Sequence, residues 1–331
     1  MTGASFLPDG LELLSPDPIG EGHQGVVYAA VHRRSGTRVA LKTLFDLHGV
    51  DVHRDLMHEV RLGKRVQPSP HVVRTLGYYA ALGPRLPFAV TELIAGRHLR
   101  ELVAEGRRFT PREVTELGEQ AAAGLAKIHD AGIHHNDLHG GNMLLGEDGV
   151  LRIMDFGQAT AVDPDLSPRR RAHGVAYDVG GLGDALAEML CGPITAEERV
   201  HELAVPGAYR RLALDAGAGS ELAGLIGDLA HGDHRKHLTA HEAHARLGEI
   251  AAVARRAERA ARGALPARRV LPALAKAAGP AGAKVDRSRG MGHHGPDAAP
   301  TPVNGYSRVG GARRSGGNSI RPNEPGGGRT L

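Results

Sequence analysis

Cysteine is nearly missing from this chain: Cys191 is the only one in 331 residues. A lone thiol cannot build an internal disulfide framework, and it suits a reducing compartment. Long apolar runs are missing too. No stretch approaches the roughly 18 uninterrupted apolar residues of a membrane span. The opening Met1-Thr2-Gly3-Ala4-Ser5 lacks the basic and then apolar regions of a secretory signal. A soluble, cytoplasmic protein is therefore the expectation. The length allows two domains, and equally one large two-lobed domain followed by a tail.

Acidic residues are scarce only at the C-terminal end. Residues 251–331 carry 15 Lys and Arg against 4 Asp and Glu, whereas the first 250 residues carry 26 against 33. The net charge of +4 thus hides a basic tail on a mildly acidic body. From about residue 263 the tail consists largely of Gly, Pro, Ala, Arg and Ser, with few aromatic or β-branched residues. Such a segment cannot bury enough apolar surface to offset its ordering entropy, so 263–331 is expected to be disordered. It is a solvated tail or a docking arm for an acidic partner, with nucleic acid the disfavoured partner. Before it, Thr239 to about Arg262 reads as a helix, with Thr239 and Glu242 as a capping box. Its residues 251–262 form a basic extension, and Arg255, Arg256, Arg259 and Arg262 suit a helix C-terminus.

The body alternates like a small antiparallel sheet over residues 11–92. Val26–Val31 and Thr37–Lys42 are β-rich runs joined by a turn at Arg33-Arg34-Ser35-Gly36. A helix is expected from Val52 to about Val66, closed by Pro68 and Pro70, then strands at His71–Ala80 and Leu86–Leu93. After Gly96 the pattern becomes helical. Thr110-Pro111-Arg112-Glu113 is a strong helix start. Val114, Leu117, Ala121, Leu125 and Ile128 then share one face, and Gly132 ends the helix. A hairpin follows, Met143–Leu145 and Leu151–Met154, turning at Asp148-Gly149. Asn142 and Asp155 stand at its two open ends.

Four short motifs carry the chemistry. They are Gly20-Glu21-Gly22-His23-Gln24-Gly25-Val26-Val27-Tyr28, Val39-Ala40-Leu41-Lys42, His135-Asn136-Asp137-Leu138-His139-Gly140-Gly141-Asn142, and Asp155-Phe156-Gly157. Gly20, Gly22 and Gly25 let backbone N–H groups approach phosphates closely. A dinucleotide-binding fingerprint would run into a helix, but this one runs into a strand. Lys42 sits late in an apolar strand, where an amine needs a partner. Glu59 is the chosen helix carboxylate, and Asp55, one turn earlier, is the alternative.

Together the four motifs resemble the signature set of the eukaryotic-type (Hanks-type) Ser/Thr protein kinase superfamily, in a bacterial form with an atypical catalytic loop. The resemblance runs from about residue 14 to 250. It implies an α+β, two-lobed fold, with a small β-rich N-lobe over 14–95 and a helical C-lobe over 96–250. It also implies ATP and Mg²⁺ as cofactors and a protein hydroxyl as acceptor. By that likeness Gly20, Glu21, Gly22 and Gly25 cover the phosphates, and Lys42, held by Glu59, contacts them. Val27, Ala40 and Leu144 match residues that sandwich an adenine ring. Thr91 matches the gatekeeper, and Glu92 and Ile94 the hinge. Asp137 matches the residue that orients the acceptor hydroxyl, and Asn142 and Asp155 the Mg²⁺ ligands. Asp178, opening a helix Asp178–Leu190, matches the buried anchor of the catalytic loop.

Several positions depart from that pattern. Asn136 replaces the arginine that grips an activation-segment phosphate, so dependence on that switch is not expected. His139 replaces a lysine, and its imidazole is fully charged only below about pH 6.5 unless shifted. The span from Asp155 to Asp178 is short and lacks Ala-Pro-Glu, and Arg169-Arg170-Arg171 within it reads as a solvated loop. The usual arginine partner of that glutamate is replaced by His237, in Asp233–Thr239. Histidines recur at 231, 234, 237, 241 and 244, with a solvated or structural face preferred over zinc binding. A Ser/Thr protein kinase is the leading expectation. A small-molecule or antibiotic phosphotransferase on the same fold, and a nucleotide-binding pseudokinase adaptor, remain as alternatives.

Overall fold

Alternating side chains along the first strands build the upper lobe. The computed structural model describes residues 7–22, 24–45, 51–80, 86–201, 205, 207–230 and 238–263. The tail from residue 264, His231, His234 and His237, and the stretch 233–237 lie outside the described residues. Strands β1 (Leu11–Leu13), β2 (Gly20–Glu21), β3 (Gly25–His32) and β4 (Arg38–Leu44) come first, and β3 and β4 form the expected hairpin. On β4, Val39 and Leu41 enter an apolar cluster with Leu11, Ala30, Phe88 and Val90. The period of two leaves Ala40 and Lys42 on the opposite face, which turns toward the lower lobe. Gly25 is required by packing: a Cβ there would lie 2.2 Å from the Thr43 carbonyl oxygen.

Helix α1 (Val52–Arg65) is capped by Asp51, whose side chain accepts the Arg54 N–H at 3.0 Å. Its buried face carries Leu56 and Val60, which pack with Ala89, and also Glu59. Strands β5 (Thr75–Tyr79) and β6 (Phe88–Glu92) complete a six-stranded sheet of order β1-β3-β4-β6-β5, with β2 also paired to β3. Both strands are shorter than their apolar runs suggest.

Beyond β7 (Gly96–His98) and α2 (Leu99–Ala104) the lobe is helical. Helix α3 (Pro111–Asp130) begins with the expected capping box of Thr110 and Glu113, and its five predicted face residues are all buried. Gly132, at φ +65°, turns the chain into β8 (Ile133–His134). The stretch His135–His139 then leads through a 3₁₀ turn (Gly140–Asn142) into the hairpin β9 (Met143–Gly146) and β10 (Leu151–Ile153). Strand β11 (Thr160–Ala161) pairs back onto β8.

One expectation needs correction. The next helix, α4 (Pro168–Cys191), starts ten residues before Asp178, which therefore lies in mid-helix. Ser167 caps it and Pro168 takes its first position, a start signal as good as that of α3. Arg169, Arg170 and Arg171 thus occupy its first turn, not a loop. Helices α5 (Ala196–His201), α6 (Ala208–Asp215), α7 (Ser220–Leu229) and α8 (Ala240–Gly263) follow, and α8 opens on the expected Thr239–Glu242 box. The core joins α3, α4, α7 and α8 through residues such as Leu125, Leu186, Leu225 and Leu247. No described helix is long and apolar enough to cross a membrane.

Candidate active site

Lys42 projects from β4 between two carboxylates from different elements. Its Nζ lies 3.0 Å from Glu59 Oε2 on α1 and 2.6 Å from Asp155 Oδ1 after β10. Asp55, the alternative partner, instead pairs with Arg54 at 3.1 Å. Burial works against the Lys42 charge, but the two carboxylates overcome it and raise the ammonium's pKa. Burial also raises the pKa of Glu59, and Lys42 only partly counters it. At Asp155 burial is outweighed by the closer contact with Lys42 and by the Gly157 N–H, so its pKa falls. Of the two anions, Asp155 is the better stabilised as a charge.

A buried aspartate shapes the stretch that carries Asp137. Asp178, with no exposed surface, accepts the backbone N–H of His135 at 2.8 Å and of Asn136 at 2.7 Å. His129 Nε2 lies 2.9 Å from the same carboxylate. This stretch approaches α4 so closely that a Cβ at Gly181 would lie 2.1 Å from the Leu138 carbonyl oxygen. Asn136 and Asp155 both take positive φ, 62° and 67°, which asparagine and aspartate tolerate better than most residues. Between them, Asp137 presents a half-exposed carboxylate to the cleft. Asn142 Nδ2 donates to the Asp137 carbonyl at 2.8 Å and to Asp137 Oδ2 at 3.0 Å. With its nitrogen so engaged, the side-chain oxygen of Asn142 is the atom suited to a cation.

The cleft roof is formed by the remaining candidates. Gly20 and Glu21 pair with Val27 and Val26, and Gly22 N–H donates to the Gly25 carbonyl at 3.0 Å. A side chain at Gly22 would meet nothing within 4 Å, so there is open space beside it, unlike beside Gly25. Val27 stands opposite Lys42 and Ala40 opposite Thr91 in the sheet. Val27, Ala40, Thr91, Glu92, Ile94 and Leu144 are all half-buried, as a cleft lining requires. The Glu92 carboxylate turns to the Arg74 N–H at 2.8 Å, leaving its backbone to face the cleft if it serves as the hinge that the resemblance implies.

His139 has a neutral ring in this geometry. Its Nδ1 accepts the Gly141 N–H at 2.9 Å, so the ring proton sits on Nε2, 3.5 Å from Asp137 Oδ1. Burial, reinforced by Arg100, lowers its pKa despite Asp137. An imidazolium acting on phosphate near neutral pH does not fit these contacts. A histidine whose folded pKa is depressed stabilises the fold fully above its unfolded value near about 6.5, and loses that contribution as pH falls toward the folded value. Turnover and melting temperature are therefore expected to drop on the acid side, below about pH 6.5. His139→Asn, which can still accept from Gly141, should flatten that limb. An unchanged acid limb in this variant would assign the fall to another group.

Three contacts went unread in the sequence. Asn136 Nδ2 donates to the Gln158 carbonyl at 3.0 Å and to Thr160 Oγ1 at 2.9 Å. His58 of α1 bonds the Ala159 carbonyl at 2.9 Å. Residues 158–160 are thus held from both sides by Asn136 and His58 with no phosphate involved. Of the repeated histidines, His241 bonds Asp130 and His244 the Glu119 carbonyl, and no metal cluster forms among the described residues.

Comparison with known proteins agrees with this geometry. The family model described as protein kinase domain matches residues 15–245. The chain is 33% identical over 156 residues to a probable serine/threonine-protein kinase PknB of Corynebacterium glutamicum, covering 45% of this chain and 24% of that protein. It is 30% identical over 177 residues to LIM domain kinase 1 of Drosophila melanogaster, covering 53% and 14%. A probable serine/threonine-protein kinase, SCO3848, of Streptomyces coelicolor is 32% identical over 151 residues, covering 44% and 22%. The chain spans less than a quarter of the length of each of these relatives.

Proposed function

Because the chain belongs to the protein kinase family, we propose that it transfers the γ-phosphate of ATP to a serine or threonine hydroxyl of a protein. The observation that carries this reading is the Lys42 ammonium held between Glu59 and Asp155. That bridge aligns α1, β4 and the Asp155-Phe156-Gly157 turn at once, so the parts of a phosphoryl-transfer site stand assembled. An adaptor that had lost catalysis would have no use for all of Lys42, Asp137, Asn142 and Asp155.

The donor set fits Mg²⁺. Asp155 and Asn142 offer hard oxygen atoms, and this cation commonly takes only one or two carboxylates besides phosphate and water. When bound, Mg²⁺ neutralises charge on the ATP phosphates. The chain's own groups do the rest. Backbone N–H groups around Gly22 cradle phosphate, and Lys42 Nζ pairs with it while Glu59 keeps the amine in place. Asp137 accepts a hydrogen bond from the acceptor hydroxyl and aims its oxygen. Asn142 holds Asp137 in that pose, and neutral His139 caps the turn that presents Asn142.

Nucleotide affinity should therefore be metal-dependent and sensitive to the bridge. By calorimetry, Asp155→Ala and Lys42→Met are each expected to weaken ATP binding in Mg²⁺ by about tenfold or more. Equal wild-type affinity with and without Mg²⁺ would remove the metal assignment. A small-molecule phosphotransferase is the second reading, favoured by residues 168–177 being helix rather than a peptide-docking loop. Radiolabelled ATP, offered with an acidic protein, a basic protein and a panel of aminoglycosides, separates the two. Label is expected in protein, and label confined to the aminoglycosides would replace the first reading with the second.

A further inference from the structure

Beside Asp137 lies a cavity of about 440 Å³ whose charged lining is Arg100, Asp137, Asp184, Glu188 and Arg199, with neutral His139 beside them. An acceptor reaching Asp137 must present its flanking residues here. Asp184 and Glu188 stand four residues apart on α4 and form one acidic wall, both largely buried. Alone, that wall would attract a cationic flank. It is already taken: Arg199 of α5 bonds Asp184 Oδ2 through one terminal nitrogen and Glu188 Oε1 through the other. Its second nitrogen also reaches the Ile194 carbonyl at 3.4 Å. The short α5 is aimed by its own capping box, in which Thr195 N–H donates to Glu198 Oε2 at 2.7 Å and Glu198 N–H returns to Thr195 Oγ1 at 3.1 Å. Arg100, exposed on the other side, adds a second positive charge.

We propose that Arg199 sets acceptor selectivity, by filling with the chain's own guanidinium the acidic site that a basic residue of the acceptor would otherwise occupy. With Arg199 gripping both carboxylates and Arg100 supplying the second positive charge, the acidic wall is balanced, and the cavity is indifferent to arginine or lysine beside the acceptor hydroxyl. The remaining lining, which includes Val103, Ala185 and Ile194, accepts small or apolar flanks. The inference rests on the kinase reading for its acceptor, but its charge logic can be measured by binding alone.

The test uses the full chain and three serine peptides of equal length, flanked by arginine, alanine or glutamate. Fluorescence anisotropy reads binding and radiolabelled ATP reads transfer. Wild type should treat the arginine and alanine peptides alike, within about threefold, and Arg199→Lys should do the same. Arg199→Gln exposes the acidic wall and should favour the arginine peptide by about tenfold or more. Because that variant removes a guanidinium shared by two largely buried carboxylates, its fold is checked by circular dichroism. Should it not fold, the Asp184→Asn/Glu188→Gln pair reverses the charge balance and should favour the glutamate peptide. Folded Arg199→Gln with wild-type selectivity overturns the proposal, as does an unshifted double variant or a wild type that already prefers arginine. If the variants shift binding while no peptide is phosphorylated by any of them, the selectivity site stands and the protein-kinase reading falls.

Discussion

Asp137→Asn is expected to stop phosphate transfer while ATP affinity stays near that of the wild type. The carboxylate is fixed by Asn142 at 3.0 Å on one oxygen and faces His139 at 3.5 Å with the other. It lies apart from the Lys42–Glu59–Asp155 bridge, so removing its charge leaves that bridge intact. An amide of the same shape keeps the hydrogen bond from Asn142 but cannot take a proton from the acceptor. Positioned acid–base groups are typically worth about 10²–10⁴ in rate. Turnover and calorimetry on one preparation check both halves of the expectation. A variant retaining more than about a tenth of the rate would mean that Asp137 is not the acceptor-orienting group.

Asp178→Ala should damage fold and catalysis together. It strands two buried backbone N–H groups, of His135 and Asn136, and deprives His129 of its partner. Each buried donor left unpaired costs about 1–3 kcal/mol, so a loss of about 3–5 kcal/mol is expected. For a lobe of this size that lowers the melting temperature by about 10 °C. The same N–H groups set the path into Asp137, and a displacement of about 1 Å there is enough for a 10²-fold loss of rate. Asp178→Asn keeps one acceptor and should fall between the two proteins. Were the folded fraction of Asp178→Ala to turn over at the wild-type rate, Asp178 would be a stability element only.

Much of this site could be read from the chain because each part is local. The glycine stretch, the strand bearing Lys42 and the turn at Asp155 are contiguous runs whose backbones largely fix themselves. The spacing of Leu56 and Val60 made the inward face of α1 legible, but Asp55 and Glu59 lie one turn apart on it, and only the pairing of Lys42 with Glu59 chose between them. The start of α4 was legible in principle, as Ser167-Pro168 is an N-cap followed by a first-turn proline. The likeness, which places a helix opening at Asp178, hides that start. Other features leave no local mark. His58 meets Ala159 across 101 residues, and Arg199 meets Asp184 and Glu188 only because α5 folds back under the cleft. No period or motif announces such partners. Gly181 shows a lesser version: its place in the chain is plain, but its close approach to Leu138 is not.

The unbroken run of α4 from Pro168 has a consequence for the cell. Ten residues in front of the cleft are committed to helix, and the strand before them is fastened by His58 and Asn136. On the proposed function, this segment stands in place without an added phosphate, so a phosphatase acting on it should leave the output of each copy unchanged.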